Sequence, residues 1–322
     1  MTDTERFDAG MSYVIGLDVG GATIKGAVFN DTSEPCCDIR LKTYSSQNTS
    51  DEILASMSDA IKQLVTQARV LHLGELAGIG IGVPGFVDSI KGVVLHASNL
   101  HLHDVNLKKW LESEFSVPCV IQGDARVGAL AERELGAAKG SDSLLYIVIG
   151  TGVGSGMILD GQIYEGAHSA AGEIGHTILK PDGQVCACGK RGCLETLVSG
   201  PQLIVNYQRR TRRDEHFSAK TLSERAVSGD TDAKAVYRDA AKTLALALAN
   251  YCTTLDPSIV VVGGGVSLAG EVLFEPLREF FHIYTSPQLS KSIRIVPAQL
   301  GDRSGIVGSG LLIKKFLQSK DR

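Results

Sequence analysis

No stretch of this sequence stays apolar for the roughly 20 residues that a membrane-crossing helix needs. Met1 to Ser12 are polar and acidic, where a secretory signal would place an apolar core. Positive charge is also short: 32 Lys and Arg stand against 36 Asp and Glu, a formal net charge of −4. No overall field therefore draws the chain to nucleic acid or to an anionic membrane. The one basic run, Arg209, Arg210, Arg212 and Arg213, reads as a solvated helix face. Seven cysteines is an odd number and makes no disulfide framework. Three of them crowd near a histidine, which points to a metal site in a reducing, cytoplasmic compartment. What is there is globular: 43% hydrophobic and 21% charged over 322 residues, enough for about two domains. The 36 glycines cluster after apolar runs, as backbone-lined binding loops require.

The periodicities predict an α/β protein. Tyr13 to Leu17 and Ile24 to Phe29 are apolar runs joined by a short Gly-rich turn, hence a hairpin. Residues 51 to 70 are apolar at helical spacing, with Ser50 or Asp51 as the expected cap. Ile79 to Val83 reads as a strand, Leu107 to Phe115 as a helix, and Pro118 to Gln122 as a strand leading into Gly123-Asp124. The pattern then restarts. A helix from about Ala125 to Leu135 precedes a strand, Leu144 to Ile149, then the turn Gly150 to Gly156 and a strand, Met157 to Leu159. Ile259 to Val262 ends in Gly263-Gly264-Gly265 and echoes Ile79 to Val83. The spacing implies a duplicated ββ…αβ unit, with an insert at about 164–200 in the second copy. Two similar lobes imply a central cleft, the usual place for a small ligand. The expected division is 1–123 plus about 304–322, and 124–303. Asp232 to Thr254 is apolar over much of its surface, Leu244 to Leu248 consecutively, so it reads as a helix buried on more than one side.

Each glycine turn read separately is first of all a tight hairpin. Two in duplicated positions suit a triphosphate, whose oxygens need backbone N–H groups at close approach. Asp18 at the first turn can hold a hydrated Mg²⁺, and the Thr151 hydroxyl can donate to a phosphate oxygen. Lys25 reads either as a phosphate partner or as a solvated strand residue. Asp124 follows a strand and begins a helix, so it is either an N-cap or a carboxylate that takes a substrate hydroxyl proton during phosphoryl transfer.

His176, Cys186, Cys188 and Cys193 form the strongest motif. Three thiolates and an imidazole make a tetrahedral Cys₃His zinc site with no open position, hence a structural one. A redox pair or a disulfide is the competing reading. Glu173 and Glu195 flank the set at three and two residues. They suit sugar hydroxyls, or else they support the metal loop or face solvent.

These residues resemble the ROK family of bacterial repressors, open reading frames and sugar kinases, and its kinase branch most. The similarity runs from about Val14 to Leu312. It is carried by Asp18 to Lys25, Gly150 to Gly154, Asp124, Gly172-Glu173-Ile174-Gly175-His176, Cys186 to Glu195 and Val262 to Gly265. Pro84-Gly85, Asn99-Leu100 and Leu300 to Gly305 add to it. The resemblance implies a two-lobed actin-like ATPase (ribonuclease H-like) fold and ATP-dependent phosphorylation of a hexose at its 6-hydroxyl, with Asp124 as base. Glucose comes first; N-acetylmannosamine, N-acetylglucosamine, fructose and allose are alternatives, as is polyphosphate for ATP. It implies ATP and Mg²⁺ contacts from Asp18, Gly20, Gly21, Thr23, Lys25, Thr151, Gly152, Val153, Gly154, Gly263, Gly264 and Gly265. It implies sugar contacts from Gly85, Asn99, Asp124, Glu173, His176 and Glu195, a Zn²⁺ loop, and a dimer or tetramer. Ala22, Gly123 and Arg126 depart from the family's usual Thr, Asn and small or amide residue. These departures bear on one phosphate contact, for which Thr23 can substitute, and on one sugar hydrogen bond, so the choice among the hexoses stays open. A sugar-sensing repressor is an alternative, but about a dozen residues precede the first strand, too few for a helix-turn-helix module. A non-catalytic sugar-binding protein is another.

Overall fold

The computed structural model describes residues 12–32, 34–43 and 49–320. Residues 1–11, read above as polar and acidic, lie outside them. The strands are β1 (Ser12–Val19), β2 (Thr23–Phe29), β3 (Cys37–Lys42), β4 (Glu75–Val83), β5 (Phe86–Asp88), β6 (Val93–Ala97), β7 (Leu102–Asn106), β8 (Cys119–Gly123), β9 (Leu144–Ile149), β10 (Val153–Leu159), β11 (Gln162–Ile163), β12 (Ile259–Gly263) and β13 (Arg294–Pro297). The helices are α1 (Ser50–Val70), α2 (Leu107–Phe115), α3 (Asp124–Glu134), α4 (Glu195–Val198), α5 (Gly200–Thr211), α6 (Ala219–Val227), α7 (Thr231–Leu255), α8 (Glu271–Tyr284), α9 (Pro287–Ser292) and α10 (Ser304–Lys320).

The chain divides into two compact units. The first holds residues up to Ala131, Gly166–Ala170, and Arg303 onward; the second holds Glu132–Glu165 and Ala171–Asp302. Asp124 to Ala131, placed in the second domain by the sequence, fold with the first. Val127 is fully buried there, and its backbone lies so near Gly308 of α10 that a Cβ on that glycine would come within 1.9 Å of the Val127 carbonyl oxygen. The excursion at Gly166–Ala170 has no signal in the sequence.

In the first unit the main sheet runs β3-β2-β1-β4-β8. β1, β2 and β3 pair antiparallel, and β4 and β8 continue parallel from β1. α1 buries Ile53, Met57, Ile61 and Leu64 among Ile15, Leu17, Ile24 and Val28. Each such side chain contributes about 1.5–3 kcal/mol by leaving water. The cap of α1 is Thr49, one residue before Ser50 and two before Asp51, the expected caps. Its side chain accepts from the Glu52 backbone N–H, and the Glu52 carboxylate accepts from the Thr49 N–H, each at 3.3 Å. α10 lies against the sheet so closely that a Cβ at Gly80 would meet the Ser309 carbonyl oxygen at 2.0 Å. Short strands β5, β6 and β7 form a separate antiparallel sheet.

In the second unit the sheet runs β11-β10-β9-β12-β13. β9, β10 and β11 pair antiparallel, and β12 and β13 continue parallel from β9. Strand order and direction repeat those of the first sheet, as the duplication required. β10 starts at Val153, four residues before the expected Met157, so Val153 and Gly154 belong to a strand and the turn is shorter. α7 buries residues on several faces, from Ala233 through Tyr237, Leu244 and Leu248 to Cys252. Leu246 alone in the Leu244 to Leu248 run is exposed. Cys119 and Cys252 are buried, and burial pushes both thiols up to about 12. No helix among the described residues is long and apolar enough to cross a membrane.

Candidate active site and metal centre

In the first unit the turn between β1 and β2 is closed by the Gly20 N–H donating to the Thr23 carbonyl at 2.9 Å. Thr43, missed in the sequence, braces it: its hydroxyl donates to the Gly20 carbonyl at 2.8 Å. Asp18 leaves β1 next to the start of α10, where a Cβ on Gly305 would lie 2.5 Å from the Asp18 carboxyl carbon. A helix N-terminus favours that negative charge. Lys25 Nζ stands 3.6 Å from Asp18 Oδ2 and is only 20% exposed, so it is no solvated strand residue. Gly21 abuts the loop that carries Asn99: a Cβ on it would lie 2.9 Å from the Asn99 carbonyl oxygen. Gly85, at φ 92, faces His96 and Ala97 one residue short of β5.

Asp124 opens α3. Its Oδ1 accepts from the Ala125 N–H at 2.6 Å. Burial, and then the nearby charge of Asp18, push its carboxyl up to about 6. The proton is thus exchanged near neutrality, where a general base works. Gly123 is positioned by Gln122, whose side-chain oxygen accepts the Gly123 N–H at 2.8 Å. The first unit therefore gathers Asp18, Lys25, Gly20, Gly21, Asn99 and Asp124 around the ends of β1, β4 and β8.

In the second unit the Gly150 N–H donates to the Gly152 carbonyl at 2.9 Å, and the Gly150 carbonyl accepts from the Gly200 N–H at 2.8 Å. Thr151 stands exposed at the tip. Gly264, at φ 86, lies against the end of β9, 2.4 Å from a Cβ to the Ile149 carbonyl oxygen. Gly263 to Gly265 and Gly150 to Gly154 are therefore neighbours. Glu173 precedes a turn of 3₁₀-helix, Ile174–His176, that packs on Val153 at Gly175.

His176, Cys186, Cys188 and Cys193 offer ligand atoms that all lie within 4.8 Å of one another. Cys186 Sγ is 3.6 Å from His176 Nδ1, and the Cys188 and Cys193 sulfurs are 3.6 Å apart. Zn–S bonds of about 2.3 Å at tetrahedral angles give edges of about 3.8 Å, so the donor set fits zinc. A disulfide would need sulfurs at about 2.0 Å. The turn that brings the thiols together is held by the Gly189 N–H to the Cys186 carbonyl and the Cys186 N–H to the Lys190 carbonyl, at 2.9 and 2.7 Å. Glu195 follows at the start of α4. Its Oε2 accepts from the Val153 N–H at 2.9 Å, and its Oε1 lies 3.7 Å from Cys186 Sγ. It ties the metal loop to the second glycine hairpin, a link that chain spacing did not reveal. The basic run is solvated: Arg210 pairs with Asp232 and Arg213 with Glu215 on the surface.

Two equivalent sheets, each with a glycine hairpin between its first two strands, define an α/β protein of the actin-like ATPase class. The ROK family profile matches residues 14–316, and the chain belongs to that family. It is 34% identical to a glucokinase of Halalkalibacterium halodurans, over 96% of this chain and 97% of the relative. It is 31% identical to a putative xylose repressor of Caldicellulosiruptor, over 92% of this chain and 77% of the repressor. Among solved structures, a ROK family glucokinase from Streptomyces griseus in complex with glucose and AMPPNP superposes with TM-score 0.82 at 29% identity, over 93% of this chain and 98% of that one.

Proposed function

We propose that this chain is a sugar kinase that transfers the γ-phosphoryl group of ATP to the 6-hydroxyl of a hexose, glucose first. The observation that carries the reading is Asp124, a largely enclosed carboxyl raised to about 6 beside Asp18. The glucokinase relatives and the glucose- and AMPPNP-bound structure support the same class. Asp124 takes the hydroxyl proton as the oxygen attacks phosphorus in line. The two glycine turns, Gly20 and Gly21 in one and Gly152, Val153 and Gly154 in the other, hold the phosphates with Thr23, Lys25 and Thr151. Gly263 to Gly265 take the adenosine. Gly85, Asn99, Glu173, His176 and Glu195 hold the sugar.

Asp18 would hold hydrated Mg²⁺, which supplies charge neutralisation on the phosphates. His176, Cys186, Cys188 and Cys193 would hold Zn²⁺, which supplies cross-linking of the loop. His176 is thus shared between the metal and the sugar side, one nitrogen for each. The repressor relatives favour a second reading, sugar sensing without turnover.

An ADP-release assay with Mg-ATP across hexoses and N-acetylhexosamines tests the proposal. Turnover with one sugar is expected. Calorimetric sugar binding with no ADP formed from any sugar would replace the kinase reading by the sensing one.

A further inference from the structure

Arg126 is 4% exposed, two residues after Asp124 on α3. A buried guanidinium costs several kcal/mol to desolvate and persists where its donors are accepted. One arm donates to Gln122 Oε1 at 3.2 Å, the same oxygen that receives the Gly123 N–H. The other donates to the Ser169 carbonyl at 2.7 Å. Gln122 is itself 2% exposed.

Ser169 sits in the excursion Gly166–Ala170, five residues that fold with the first unit although the chain on both sides belongs to the second. Its φ is 52, a left-handed conformation that costs a serine energy and persists where surroundings impose it. In this conformation its carbonyl faces the guanidinium. Two residues past the excursion come Gly172, whose carbonyl accepts from the Ser155 hydroxyl, and then Glu173.

We infer that Arg126 is a positioning residue: it fastens Gly166–Ala170 to the first unit and so fixes where the Gly172–His176 segment begins. The inference rests on the kinase reading for its consequence, sugar affinity, but not for the fastening. A charge-assisted hydrogen bond to a backbone carbonyl suits this because its acceptor survives any side-chain change at position 169. The fork geometry matters: an ammonium cannot serve Gln122 and Ser169 along two fixed directions.

The test uses the full chain with Arg126→Ala and Arg126→Lys, the lysine variant standing in should the alanine variant not fold. Hydrogen exchange at residues 166–171 should accelerate in both, while the β1 and β4 amides stay protected. Sugar KM should rise about tenfold or more in Arg126→Ala, the scale of one charged hydrogen bond, with ATP KM and kcat within about twofold. Unchanged exchange at 166–171 overturns the inference. So does faster exchange with an unaltered sugar KM, or an equal fall in kcat for all substrates, the mark of general loosening. Should the wild-type chain turn over no sugar, the kinase reading falls, and exchange together with calorimetric sugar affinity decides the fastening.

Discussion

The two five-stranded sheets share strand order and direction, yet their glycine hairpins carry different chemistry. The first has Asp18 and Lys25 within 3.6 Å of each other and Asp124 close enough for Asp18 to disturb its proton. The strand of the second hairpin runs Leu144 to Ile149 with no ionisable group but Tyr146, and the Glu195 carboxylate that accepts from the Val153 N–H arrives from the Cys/His loop. The scaffold and the glycine turn are thus common to both copies. Under the proposed function proton handling stays with one copy, while the other carries a four-residue Cys/His cluster, the only one of its kind among the described residues.

The contrast can be broken at its strongest point. Asp124→Asn should lower kcat by about 10²–10⁴-fold, the usual worth of a general base, measured by ADP release. The same variant should melt higher at neutral pH. Its folded pKa is raised, so this group's stabilising effect is present below its unfolded value near 3.8 and is lost as pH rises through about 6. Removing the charge returns at most about 3 kcal/mol, and less in practice because the side chain keeps some water contact. Next comes the proposed metal site. Chelation, or Cys188→Ser, should cost the second unit about 3 kcal/mol or more, seen as faster hydrogen exchange in β9 and β10 with β1 and β4 unaffected. Equal loosening of both sheets would contradict a local brace. Gly80→Ala should destabilise the first sheet by about 2–3 kcal/mol by forcing α10 away, read from denaturant midpoints. Thr49→Ala, which removes only a cap, should cost about 1 kcal/mol and leave turnover unchanged.

Much of this was legible in the sequence because it follows from local pattern. The β1–β2 hairpin, α2, α7 and β9 have strong period or long apolar runs, and the Cys-x-Cys spacing between turn residues foretold the cluster. Three features were not. β5, β6 and β7 are three to five residues long and mix exposed histidines with buried valines, too little for a period to show. Glu132 is buried and accepts backbone N–H groups of Ala137, Gln299 and Leu300, partners up to 168 residues away. The return of Gly166–Ala170 to the first unit likewise depends on Arg126 meeting Ser169 across 43 residues. Asp124 was named from the sequence, but its raised pKa was not, since that comes from enclosure and from Asp18, 106 positions earlier.

The most direct test of the account is the pH dependence of kcat/KM with the preferred sugar. The account predicts a constant value above neutrality, a fall as pH drops through an apparent pKa near 6, and loss of that limb in Asp124→Asn. A profile flat from about pH 5 to 8, or one whose limb survives in Asp124→Asn, would contradict it.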